Sequence, residues 1–165
     1  MNSMEIVDII DEFDNVVGSA ERYDSYRKKL RSRVSHVFVF NSDNQVLLQK
    51  RSRFKTRPLH WHTSVNGTVQ SGENYEDAAV REMEEEIGVA LDLHHFEKYN
   101  FIHPNGHPVS LGIFCAYSDG PFSPDPQEVH ELQFFDLGAL KRLESEELCH
   151  QELIFLMDTY PKITI

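Results

Sequence analysis

A mixed α+β fold, with helices packed on a largely mixed or antiparallel sheet, is what this sequence predicts, on three observations. Short apolar runs recur along the chain, bounded by Asn, Asp, Ser and Gly turn residues. One segment, Asn74 to Gly88, carries the start and stop signals of a helix. Two further helical stretches, 138–144 and 146–158, close the chain, with no internal repeat or low-complexity tract anywhere. At 165 residues the chain is the size of one domain and long enough to bury a core without disulfides, so residues 1–165 are expected to form a single unit.

The elements follow in order. Glu5–Ile10, a polar turn (Asp11, Glu12, Asp14, Asn15) and Val16–Gly18 read as a hairpin over 5–18. Residues 20–31 are polar with helical propensity, which suits a short exposed helix or connector. Val34–Phe40, the turn 41–44 and Val46–Leu48 read as strand, turn, strand. Segment 51–60, rich in basic side chains and holding Pro58, reads as a loop. Trp61–Val69 resembles a strand pair interrupted at Asn66-Gly67. In the helix that follows, Asn74 is the N-cap, with Asp77 three residues on, and Gly88 suits a left-handed C-terminal cap. Phe96–Ile102 and Val109–Tyr117 are strands around an Asn105-Gly106 turn, 121–126 is a loop and Glu131–Phe135 a last strand.

Composition narrows the function. The net charge of −11 argues against a nucleic acid polymer as partner, because gripping a phosphate backbone takes a basic face. No apolar run approaches the roughly 20 residues that span a bilayer, so no membrane role is expected. The opening MNSMEIVDIIDEFD lacks the basic and apolar regions of a secretory signal, so a cytoplasmic location is expected. Cys115 and Cys149 have no paired spacing and read as reduced, structural residues.

The chemistry concentrates in 67–89. At about 100° per residue, Glu82, Glu85 and Glu86 share one third of the helix circumference, while Val80, Met83 and Ile87 fall on another side. Converging carboxylates raise one another's pKa unless a cation intervenes, and a hard, oxygen-seeking ion such as Mg²⁺ or Mn²⁺ fits this ligand set better than zinc. A solvated acidic face is the alternative reading of such a run.

These 23 residues resemble the Nudix box, G-x5-E-x7-R-E-U-x-E-E-x-G-U, with Gly67, Glu73, Arg81, Glu82, Glu85, Glu86 and Gly88 at its seven fixed positions and Met83 and Val89 at the apolar ones. The resemblance implies the Nudix fold, an α/β/α sandwich with a mixed central sheet. It also implies a metal-dependent hydrolase that cleaves the diphosphate linkage of a nucleoside diphosphate derivative or other organic diphosphate, a small-molecule substrate. Glu82, Glu85 and Glu86 would then carry Mg²⁺ or Mn²⁺, Gly67 would offer a carbonyl, and Arg81 would pair with Glu73. An additional base or ligand in this family comes from a later loop or strand. Glu128 and Glu131 are candidates here, with a solvated strand edge as the alternative.

Leu47–Lys55, Trp61 and Ser64–Gly67 are similar to the isopentenyl-diphosphate-isomerase-like branch, which implies substrate phosphate contacts for Arg51 and Lys55. The chain departs from the isomerase at its catalytic cysteine and metal-binding histidine, where Asn66 and Thr68 stand, and 23–31 holds none of its N-terminal histidines. Without the thiol, isomerisation has no evident acid. Two rivals to a hydrolase remain, the isomerase itself and a non-catalytic binding module. His60 and His62 flank Trp61, and one of them is expected to pack or to line the substrate pocket. Selectivity is expected in loops such as 53–60 and 103–108, and a homodimer is left open.

Overall fold

The computed structural model describes residues 4–146 and 148–163. The chain runs β1 (Ile6–Ile10), β2 (Val16–Glu21), α1 (Arg22–Arg27), β3 (Ser32–Phe40), β4 (Val46–Arg51), β5 (Trp61–Thr63), β6 (Val65–Thr68), α2 (Tyr75–Ile87), β7 (His94–Ile102), β8 (Pro108–Tyr117), β9 (Val129–Phe135), α3 (Leu137–Glu146) and α4 (Gln151–Thr159), with a final 3₁₀ turn at Pro161–Ile163. The strands from β3 onward form one sheet in the order β5-β4-β3-β8-β7, with β6 also pairing β3 and β9 pairing β4. β3 and β8 pair in parallel and the other named strand pairs are antiparallel, so the sheet is mixed.

Period-two alternation makes this sheet the middle layer of a sandwich. Val37 and Val39 of β3 and Phe114 and Ala116 of β8 join a buried cluster with Ala78, Ala79, Met83 and Ile87 of α2. The alternate residues Phe38, Phe40, Leu111, Ile113 and Cys115 join the opposite cluster with Leu153, Leu156 and Met157 of α4. The fold is therefore an α/β/α sandwich. Both cysteines are buried, and no helix among the described residues is long and apolar enough to cross a membrane.

Several boundaries differ from the sequence reading, three of them near the site and the last helix. The break between β5 and β6 falls at Ser64, and Asn66-Gly67 lie within β6, paired to His36 and Ser35. Ser64 takes the break because β3 and β4 part there: its Oγ accepts from the Val39 amide at 2.8 Å and donates to the Leu47 carbonyl. Arg51 ends strand β4 rather than opening a loop. The last helix starts at Gln151, not 146, because 148–150 run beside β5: the Trp61 amide donates to Leu148 and the His150 amide to Trp61. Position 147 of that expected helix lies outside the described residues.

The β1–β2 hairpin extends to Glu21 and supports the loop before α2. Ser71 donates its amide to the Ile6 carbonyl (2.8 Å) and its hydroxyl to Asp8 (2.7 Å), and the Gln70 side chain reaches Glu5 at 3.0 Å. The loop that carries Glu73 is thereby fixed before it meets the helix.

Candidate active site

Local sequence sets helix α2. The Asn74 side chain accepts the Asp77 amide at 2.7 Å, and Gly88 closes the helix at φ 70°, where a side chain would also lie 2.6 Å from the Ser123 carbonyl. The buried stripe Ala78, Ala79, Met83 and Ile87 then presses one side onto the sheet and aims the carboxylates at β4 and β6.

Arg81 organises the entry. Its guanidinium holds Glu73 through two bonds (2.7 and 3.0 Å), donates to the Thr68 carbonyl (3.1 Å) and to Glu82 (2.8 Å), and lies 3.4 Å from Glu85. A bidentate arginine clamp of this type ties the 69–74 loop to the helix. The Arg81 partnership holds the Glu73 carboxyl below its ordinary value, and Glu73 with its neighbours raises Arg81 further above an already high one.

The glutamates are not equivalent. Glu84 and Glu85 are both exposed, Glu85 on the side that approaches Arg81, whereas Glu82 is half-buried against β6. A Cβ added to Gly67 would sit 2.1 Å from the Glu82 carboxyl carbon, so only glycine admits that side chain. Glu86 is 1% exposed, inside the apolar stripe rather than on a face apart from it. One of its oxygens accepts from the Asn66 amide (2.9 Å) and from Gln49 Nε2 (3.2 Å); the other has no partner among the described residues. Burial, then the Glu82 carboxylate, pushes Glu86 up to about 8. Burial also raises Glu82, to about 7, against the opposing pull of Arg81.

Lys55 forms an ion pair with Glu128 and lowers the pKa of both Glu82 and Glu86 through its charge, so this pair borders the carboxylates. The pairing has a backbone cause. The Ser52 hydroxyl donates to Gln127 (2.7 Å) and the Asp125 amide to Glu86 (3.1 Å), stitching loops 52–56 and 125–128 to the end of α2. Glu131 lies elsewhere: it pairs with Lys50, whose ammonium sits over Trp61 in the α4-facing layer. Arg51 is buried and bound to Thr56 through its carbonyl (2.8 Å) and hydroxyl (3.2 Å). Burial lowers its pKa against the opposing charges of Glu86 and Glu152. His60 and His62 diverge. His60 is half-buried with Nδ1 3.0 Å from the Pro58 carbonyl, and His62 is fully buried beside His36 and Glu152.

Sequence reasoning missed Gln49, the Asn66 amide and Ser52 as supports of the site. Gln49 had a signal, a polar residue directly after Val46-Leu47-Leu48 in a buried strand.

The site is thus an acidic helix clamped by an arginine to a strand and loop, with a lysine nearby. The NUDIX domain family model matches residues 29–156, and the chain belongs to that family as a Nudix hydrolase. An uncharacterised Nudix hydrolase of Pseudomonas aeruginosa is 33% identical over 152 residues, covering 90% of this chain and 89% of that one. Another, from Nostoc, is 38% identical over 146 residues, 87% and 86% of the two chains. Among solved structures, DR0079 from Deinococcus radiodurans superimposes with a TM-score of 0.78 at 29% identity, covering 93% of this chain and 98% of that one.

Proposed function

We propose that this Nudix hydrolase is metal-dependent and cleaves the diphosphate linkage of a nucleoside diphosphate derivative or another small organic diphosphate. The observation that carries the reading is the Glu82–Glu86 pair, a half-buried and a buried carboxylate pushed up to about 7 and about 8, the second with an oxygen that has no partner among the described residues. A divalent cation fits that arrangement, since it neutralises both groups and completes the orphaned oxygen's partners. Glu82, Glu85 and Glu86, with the Gly67 carbonyl, would hold Mg²⁺ or Mn²⁺. When bound, the ion neutralises charge on the phosphoryl oxygens and lowers the pKa of a water.

The chain's own residues supply the rest. Arg81 and Glu73 fix the loop so that Glu82 and Gly67 keep their relation. Lys55 swings from Glu128 to a substrate phosphate, which frees Glu128 to take the proton of the attacking water. That water adds to one phosphorus, the bridging oxygen leaves with the other phosphate, and two phosphorylated fragments result. Arg51, held by Thr56, contributes positive potential beneath the phosphates. Glu131, in the opposite layer, has no part in this scheme.

The resemblance to the isopentenyl-diphosphate-isomerase-like branch does not extend to its reaction. Asn66 offers a neutral amide where isomerisation needs a thiol acid, and Thr68 stands in place of a histidine ligand. The test is a panel of nucleoside, dinucleotide, sugar-nucleotide and prenyl diphosphates, assayed with Mg²⁺ and again in excess chelator. At least one should yield monophosphate products with Mg²⁺ and none in chelator, and isopentenyl diphosphate should give no dimethylallyl isomer. Full turnover in chelator, or steady isomer formation, overturns the reading.

A further inference from the structure

The layer opposite the glutamate helix holds a second polar cluster, which diphosphate cleavage does not use. Glu152, on α4, is 5% exposed, and four imidazole nitrogens face its carboxylate: His62 Nε2 at 3.5 Å, His150 Nδ1 at 3.6 Å, His103 Nε2 at 3.7 Å and His36 Nε2 at 3.8 Å. Hydrogen bonds between such groups run to about 3.2 Å, so these gaps are too wide for direct bonds. Ligands around an ion held at about 2.0–2.1 Å stand about 3.4 Å apart in a tetrahedron, and the gaps match that spacing.

The protonation of His36 points the same way. Thr63 Oγ1 donates to the Val65 carbonyl at 3.0 Å, so its lone pair accepts from His36 Nδ1 at 2.9 Å. The hydrogen of the neutral ring is then on Nδ1, and Nε2 carries a bare lone pair. That atom is fully buried, has no hydrogen-bond partner among the described residues and faces a carboxylate. Two acceptors aimed at one another call for a cation between them. The second imidazole is His62: ligating atoms of His36, His62 and Glu152 all lie within 4.8 Å of one another.

We infer that His36, His62 and Glu152 form a zinc-class metal site, with His103 beside the second Glu152 oxygen. Imidazole nitrogens with one carboxylate select a borderline transition-metal dication over magnesium, which prefers oxygen. All three ligands are buried away from the glutamate helix, so the ion is structural, its fourth tetrahedral position left to a small ligand such as water: it fastens α4 to β3 and β5 across the α4-facing layer. Thr63 supports it by orienting the His36 ring. His62 now accepts the Thr63 amide at Nδ1 (2.9 Å), which puts its hydrogen on Nε2. Ligation moves that hydrogen to Nδ1 at the expense of the amide contact, a tautomer change with no net proton gained or lost.

The test loads chelator-stripped protein with zinc in the presence of excess Mg²⁺, which occupies the oxygen-rich helix site, then desalts it and measures metal by mass spectrometry. Wild type should retain about one zinc per chain, and His36→Gln and Glu152→Gln roughly a tenth of that or less. No retained zinc in wild type, or equal retention in folded variants, overturns the site. Because both substitutions fall in the core, wild type alone provides a second reading. Cobalt(II) loading should give the intense visible bands of a tetrahedral ion, and zinc should shift the ¹⁵N resonances of His62 to the Nδ1–H tautomer. Weak octahedral bands and an unchanged imidazole spectrum would equally overturn it.

Discussion

Gly67 shows how one missing atom positions a charge. Its bare Cα lets the Glu82 carboxyl lie where a Cβ would be 2.1 Å away, and that contact brings a helix glutamate against β6. Gly67→Ala should displace Glu82, whose side chain is flexible enough to yield, at a cost of about 1–3 kcal/mol in stability. Mg²⁺-dependent turnover should fall far more, by about 10- to 100-fold, because the displaced group is a proposed ligand. Thermal melts and steady-state rates on the same preparation check both. The spacing of the Nudix box marks Gly67 in the sequence, but the reason for the glycine lies in the approach of Glu82, which no single-chain pattern displays. Glu86 was legible as a glutamate on the helix and illegible as a buried one. Helical angles put it beside Glu82, and its burial depends on Gln49 and the Asn66 amide, which arrive from strands 20 or more residues away in sequence.

At the scale of elements, α2 was readable almost to the residue, because its signals are local: the Asn74 cap, the Gly88 stop and an apolar stripe of helical period. Asn74→Ala removes the acceptor of the Asp77 amide and should cost about 1 kcal/mol, with little change in Mg²⁺ affinity, since the cap lies two turns before Glu82. A matched loss of metal affinity, measured by titration, would show that the cap also positions the carboxylates. Where partners are distant, local reading failed. The start of the last helix is set by backbone bonds between 148–150 and Trp61, and the β5–β6 break by Ser64 bridging two diverging strands. One of His60 and His62 was expected to pack or to line the substrate pocket; His62 is the one that packs, against His36 and Glu152, residues far from it in sequence that the sandwich brings together.

For the whole molecule, the sheet isolates two polar sites in separate layers, and the glutamate layer couples folding to pH. Glu82 and Glu86 have folded values of about 7 and about 8, above the ordinary 4.5, so folding favours their protonated forms. Their contribution to stability is complete below about 4.5 and is lost as pH rises through 7 to 8. In chelator the thermal midpoint should therefore fall from about pH 4.5 to about pH 8 and level off above it, and Mg²⁺ should restore it most at the alkaline end, where it no longer competes with protons. A midpoint indifferent to Mg²⁺ at every pH would separate these carboxylates from metal binding. The central claim is that Glu82, Glu85 and Glu86 of α2 hold a catalytic ion while their neighbour Glu84 does not. It is tested most directly by the rate of Glu85→Gln against Glu84→Gln at saturating Mg²⁺, on the best substrate of the diphosphate panel. Both variants should keep the wild-type melting behaviour in chelator to within a few tenths of a kcal/mol. Glu85→Gln should lose about two or more orders of magnitude in turnover and Glu84→Gln almost none; equal losses, or none in either, would contradict the account.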